Sequence, residues 1–357
     1  MKRFFAVIFL LVLVINLNAI EINLIKKLLT GNAPKSVEIT ADGKYAYVNN
    51  LESCALWKYS VADKKVIKKI EFFKTSAKGY NYETKEEINS YAEKPVECDF
   101  AEGGRFVYLS LHNGEMIVAY DTMETDCTDK TAKKVKIKDL ENNTEKIIHL
   151  KSAKTGKTPK IVKVSPDEKW IYVANWFTDN VTVIDREKFE PVKTIPVVHI
   201  PRGIDFSPDS KYAYIVNMGG LTMTKIDIAD NHKKLNEITI GLNPRHIVIS
   251  TDGKYAYTTH NSERIFVKTD LATEKKVKSI DIGTKPRSFV ITSDNKYAFI
   301  LVYEEDKLVV VNLETMTVEK TLKTGLKPIG AAITPDNKEL WLTNYFEGTM
   351  YVYSLDY

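Results

Sequence analysis

The chain has 357 residues, 44% hydrophobic and 27% charged, which excludes a disordered polymer and leaves room for one large domain or two average ones. Its formal charge of +4 is too small to set up a strong field toward nucleic acid or an anionic membrane. Three cysteines, Cys54, Cys98 and Cys127, allow one disulfide at most, so no disulfide framework holds the fold.

The first element is an apolar run, 4–17, behind Lys2 and Arg3 and ahead of the small residue Ala19. It is short for a bilayer span and long enough for a secretory signal, so 1–19 is expected to be a signal peptide. No Cys follows it, which argues against a lipid anchor, and no later segment approaches membrane-spanning length. Export to the periplasm, the cell surface or the medium is the expectation. Without Lys2 and Arg3 the remainder has 49 basic and 47 acidic side chains. The next segment, Ile22 to Leu29, reads as a strand ending just before Gly31.

From there a repeat takes over. Pro recurs at Pro34, Pro95, Pro159, Pro201, Pro244, Pro286 and Pro328. Sixteen residues later stand Asn50, Leu111, Asn175, Asn217, His260, Val302 and Asn344, with no gap in any copy. Apolar residues three and five positions after each Pro, such as Ile204 and Phe206, have the period of a half-buried strand, A. An Asp at a turn follows in six copies, Asp42 to Asp336, because its carboxylate bonds the backbone two residues on. Then a basic residue opens strand B, which is apolar or aromatic on both faces, as in Trp170-Ile171-Tyr172-Val173. Strands C and D complete a unit of 42 or 43 residues without an amphipathic helix, the pattern of propeller blades.

Two copies are longer. Blade one carries an insertion at about 73–92, with Tyr80, Tyr82 and Tyr91, expected to overhang the rim between blades one and two. Blade two carries one at about 122–156, where Lys133 to Lys151 reads as a hairpin and either arm suits strand D. The seventh copy ends three residues after Ser354 and lacks strand D, while Ile22 to Leu29 matches the D strands before Gly241, Gly283 and Gly325. The expectation is an all-β, single-domain, seven-bladed β-propeller over 20–357, its last blade closed by the N-terminal strand.

The tetrads Tyr47-Val48-Asn49-Asn50, Tyr172-Val173-Ala174-Asn175 and Tyr214-Ile215-Val216-Asn217, with the Pro-Asp-x-Lys-aromatic and Pro-Arg-x stretches, resemble the YVTN-repeat, YncE-like bacterial propellers. The resemblance implies an exported or surface-associated propeller. It implies no activity, since propellers of this kind differ in function and no lactonase or haem motif matches positions here.

Five of seven residues following the repeat Pro are basic: Lys35, Lys160, Arg202, Arg245 and Arg287. Ring closure would gather them at the mouth of the axial channel, where Arg suits carboxylate or phosphate. The plainer reading pairs them with rim carboxylates such as Glu263 or Glu304. His246 and His260 share blade five on the same rim as His112 and His199, but no metal site is expected. Asn175, Trp176, Asn217, Asn344 and Tyr345 lie at or just past the end of strand B and suggest a rim for a flat polar ligand. Four residues after the Pro, Glu38, Asp99, Lys163 and Asp205 would line the channel, and Cys98 should be a buried thiol.

No phosphate loop, nucleophile elbow or paired-cysteine motif is present, so no cofactor and no catalytic residue is expected. The expected function is a monomeric, non-enzymatic scaffold binding a protein, peptide or glycan through its top rim. A lactonase-like hydrolase of small anionic sugars in the channel is the alternative, and nucleic-acid binding at the basic mouth a second.

Overall fold

The computed structural model describes residues 20–81, 84, 86–129 and 132–357. The expected leader, 1–19, lies outside the described residues, and so does Tyr82.

Among the described residues the strands form seven four-stranded antiparallel units, each ordered A to D outward from the axis. Each A strand contacts the A strands of both neighbouring blades, and Pro34–Ile39 touches Pro328–Ile333, so the circle is closed. Strand B has one pattern in every blade: a partly buried first residue, then five buried ones. A strand covered by a blade on each side has no solvent face, which is why its sequence does not alternate.

The turn between strands A and B follows from its Asp. The Ser250 hydroxyl donates to the Asp252 carboxylate at 2.6 Å, and that carboxylate accepts the Lys254 N–H at 3.1 Å. The blades containing Asp42, Asp167, Asp209, Asp294 and Asp336 repeat it. Blade two instead turns through a short 3-10 segment, Glu102–Gly104, with Gly103 at φ 65°.

The closing strand, Glu21–Leu29, pairs antiparallel with Thr349–Asp356 from Glu21 opposite Asp356 to Leu29 opposite Thr349. Ile22 and Leu28 are buried by it, and Tyr59 of blade one donates its hydroxyl to the Leu29 carbonyl at 2.9 Å. The expected closure of the seventh blade by the N-terminal strand is therefore found.

The two insertions do different things. Ser76–Asn81 and Glu86–Tyr91 form a hairpin. Its Ser90 hydroxyl and Tyr91 carbonyl accept bonds from the Asn113 amide, and Tyr80 meets Phe177 edge-on at 5.3 Å. The hairpin thus leans over blades two and three, one blade further round than expected. In blade two the second arm, Thr144–Lys154, is strand D. The first arm, Lys133–Asp139, pairs with that strand and with Lys65–Phe72 of blade one, which welds two blades into one nine-stranded sheet.

Candidate functional site: a cation layer across the bore

Two backbone features, repeated in all seven blades, build the site. Strand A breaks register with strand B just after the repeat Pro, as between Pro201 and Gly203 or Pro244 and His246. A bulge re-aims a side chain that strict alternation would send between the blades. The second feature is a backbone bond from the residue seventeen after the Pro to the carbonyl just before it. It runs from Leu51, His112, Trp176, Met218, Asn261, Tyr303 and Tyr345 to Ala33, Lys94, Thr158, Ile200, Asn243, Lys285 and Lys327. Six of those acceptor residues are left-handed, including β-branched Ile200 at φ 54°, a strained choice for such a side chain. Together these features hold an inner ring of residues one after the Pro against a collar of residues seventeen after it.

The inner ring carries Lys35, Lys160, Arg202, Arg245 and Arg287, and the charges converge. Burial first, and then Arg245, Arg202 and Arg287, hold the Lys35 ammonium well below its ordinary pKa. Burial, then Lys35, Arg202 and Arg245, do the same to Lys160. Arg245 is lowered by burial, Arg287 and Arg202, and Arg287 is lowered to about 10 with burial the leading cause. One carboxylate among the described residues bonds to this layer: Glu97 of blade two accepts from Arg202 Nη2 at 3.0 Å. Arg202 is 3% exposed, yet among the described residues its Nε and Nη1 find no acceptor, nor does Nε of Arg287. A buried donor left unmade costs about 1–3 kcal/mol.

The rim carboxylates do not neutralise the ring. Glu304 bonds to Lys285 and Lys327 at 2.7 and 2.9 Å, and Glu263 accepts the Leu242 N–H at 2.7 Å. What meets the cations is the collar. Lys160 lies 4.0 Å from the Trp176 ring centroid, with His112 Nε2 at 3.3 Å, and Arg287 lies 4.4 Å over Tyr303. Lys35 stands 5.4 Å over Tyr345, and Arg245 Nη1 is 3.7 Å from the Met218 sulfur. Such contacts help to hold a cation without cancelling its charge.

The collar corrects part of the sequence reading. Trp176 and Tyr345 flank the mouth, and a cation lies over a face of each ring. Asn175, Asn217 and Asn344 are fully buried inside their own blades. The Asn175 amide donates to Asn180 and Thr182, that of Asn217 to Thr222, Thr224 and Glu237, and that of Asn344 to Thr349. They fasten strand B to strand C and are not on the rim. His260 stands in for the tetrad's Asn. It is fully buried, with its ring nitrogens at Thr258 and the Leu242 carbonyl, and burial pushes its pKa down to about 4.

His246 faces the bore, edge-on to Phe289 at 5.2 Å. Burial, Arg202, Lys163 and Arg245 push it down to about 3, so it is neutral. The structure therefore brings Arg202, Arg245, Arg287 and His246 together and leaves His260 and the three Asn apart. His199 pairs at 3.0 Å with Asp179 on the rim. Among the described residues no three His, Cys, Asp or Glu converge as a metal ion requires. The three thiols are free, Cys54 and Cys98 buried and Cys127 partly so.

Below the ring the bore widens into a chamber of about 280 Å³, lined among others by Glu38, Glu97, Lys163, Asp205, His246 and Phe289. Asp99 accepts the Val164 N–H at 2.8 Å and Asp205 the Ile249 N–H at 2.7 Å, so each carboxylate bonds the inner strand of the next blade. Lys163 lies 3.8 Å from Asp99, which with Asp205 and Glu38 raises its pKa against the effect of burial. Glu38 is raised to about 8 by burial, against the pull of Lys163.

The closed circle of four-stranded sheets defines a β-propeller. Residues 140–303 match the family model described as YNCE-like beta-propeller, the family that the tetrads resemble. Among solved structures it is similar to one titled Kuenenia stuttgartiensis hydrazine synthase, with a TM-score of 0.70 and 19% identity. That likeness covers 90% of this chain and 95% of the other, and it carries the fold alone. No curated protein matches the chain.

Proposed function

We propose that this chain is an exported, monomeric, non-enzymatic binding propeller that holds the oxyanion of a protein, peptide or glycan partner at the axial end of its top rim. The observation that carries this reading is the imbalance at the inner ring: among the described residues, three buried and two half-buried basic groups face one bonded carboxylate, and three guanidinium nitrogens have no acceptor. Buried like charges cost on the order of several kcal/mol each, a cost that an incoming carboxylate or phosphate offsets. Burial also sets the shape of the partner. An acidic group on a slender end reaches Arg202, whereas a flat protein surface or a duplex backbone does not, which tells against nucleic acid.

Titration with sulfate and citrate, followed by calorimetry and melting, tests this. We expect both anions to bind and raise Tm, and the double change Arg245→Met and Arg287→Met to weaken them at least tenfold. An equal rise in Tm in that variant would sink the reading.

One observation favours a hydrolase instead: the Glu38 carboxyl, held near neutrality inside a chamber of ligand size. Turnover of sugar lactones that Glu38→Gln abolishes would decide for it.

A further inference from the structure

The bore changes sign along its axis. Strand A rises about 3.3 Å per residue, so the side chains four after the Pro lie roughly 10 Å below the cations one after it. At the upper level stand the five basic groups. At the lower, Glu38, Asp99 and Asp205 share Lys163.

The two aspartates are occupied by backbone N–H groups of neighbouring blades. Glu38 has no such bond. It lines the chamber, and its surroundings act on it through burial and charge alone, with Asp99 and Glu97 opposing its ionisation. Between the two levels the chamber is lined by Ser36, Glu97, Ile161, His246 and Ser288, each two residues after its Pro.

We propose that the ligand segment held in the bore is dipolar, with an oxyanion at Arg202, Arg245 and Arg287 and an ammonium group several bonds further on at Glu38. This rests on the oxyanion reading and extends it to the far end of the ligand. Among the described residues two independent observations mark the ends: the unpartnered Arg202 donors above, and below them the half-buried Glu38 carboxyl in the chamber wall, on which no hydrogen bond acts. A second carboxylate at the lower level would meet Glu38 and Asp205. A plain alkyl tail would leave the Glu38 carboxyl without a hydrogen-bond partner. An ammonium group beside it favours the ionised carboxylate and donates to it. An amino acid with separated charges has this form, either free or as the lysine at a peptide's C-terminus.

Calorimetry on the whole protein with ω-amino acids of four, six and eight carbons, against hexanoate and adipate, tests the proposal. At least one ω-amino acid is expected to bind ten times more tightly than either comparison acid. Glu38→Gln should erase that preference, while Lys169→Ala, in an outer turn, retains it. The peptide Gly-Gly-Lys carries the same pair of charges on a chain end. If it binds as well, the segment comes from a peptide, and if it is refused, from a free small molecule. Equal affinity for ω-amino acids, hexanoate and adipate, or a preference unchanged in Glu38→Gln, overturns the dipolar ligand while sulfate binding keeps the oxyanion site. Loss of sulfate and of every carboxylate alike would overturn both.

Discussion

Two positions of the repeat are basic, and they behave in opposite ways. Ten residues after the Pro, the side chains of Lys44, Lys169, Lys254 and Lys296 are 70–72% exposed and lie 3.0–3.4 Å from the Asp of their own turn. One residue after the Pro, Lys160, Arg202 and Arg245 are buried, and the inner ring shares Glu97. The sequence treats both as features of the repeat. Ring geometry separates them, because outer turns diverge from the axis, where each lysine meets its own carboxylate and water, while inner turns converge and their charges add. Repetition therefore does not make a residue structural in a closed ring. At the axis it multiplies whatever one blade contributes.

The sharpest way to break this contrast is to remove its one counter-charge. Glu97→Ala leaves Arg202 buried without a partner, a change that typically costs about 3–5 kcal/mol, and urea unfolding of the ligand-free protein should show the loss. Sulfate should bind this variant more tightly than the parent and restore much of the lost stability. A variant that is destabilised yet indifferent to sulfate would mean that Glu97 only props up the strand.

Replacing two of the cations should act in the other direction. Apolar side chains of similar size in place of buried charges are often neutral or stabilising by about 1–4 kcal/mol. Arg245→Met with Arg287→Met should therefore melt no lower than the parent while losing sulfate affinity. A charge whose removal stabilises the empty fold is one kept for binding.

The fold is readable in the sequence because each blade is a local object. A Pro, an Asp turn and a period-two strand recur within about forty residues, and each has its cause nearby. The site is not local. Arg202 and Glu97 are 105 residues apart, and nothing in either blade announces the other. The basic residue after the Pro is visible, whereas the bulge that aims it at the axis is not, nor is the collar. A one-residue displacement accounts for the misread amides. Asn175, Asn217 and Asn344 end strand B, inside the blade, and the rim begins with the next residue, at Trp176, Met218 and Tyr345. The chain order of the D strands in blade two was equally hidden, since a strand that pairs on both edges has no sequence mark of its own.

Acidity probes the contrast more gently. Lys35 and Lys160 have folded pKa values well below 10.5, so at intermediate pH the unfolded chain holds more protons than the folded one. Stability of the ligand-free protein should then rise with pH from those lowered values up to 10.5. Glu38 has the reverse sign. Raised from 4.5 to about 8, it keeps its proton in the fold while the unfolded chain loses it, so stability should fall between those pH values. Melting curves of Glu38→Gln should lack that fall. Sulfate, whose charge is constant across the range, should flatten the alkaline rise, because an anion in the ring draws protons back onto the lysines.

The smallest effect belongs to the outer turn. Lys169→Ala removes a side chain 72% exposed, 3.4 Å from Asp167, and exposed pairs contribute about 0.5 kcal/mol or less. Its melting temperature and sulfate affinity should match the parent's. Asp167→Ala is a different matter, since that carboxylate also accepts the Ser165 hydroxyl at 2.6 Å and the Lys169 N–H at 3.3 Å. Loss of those bonds should cost about 1 kcal/mol. If Lys169→Ala weakened sulfate binding as much as an inner-ring change does, long-range field and not convergence would govern the anion, and the distinction between the two basic positions would collapse.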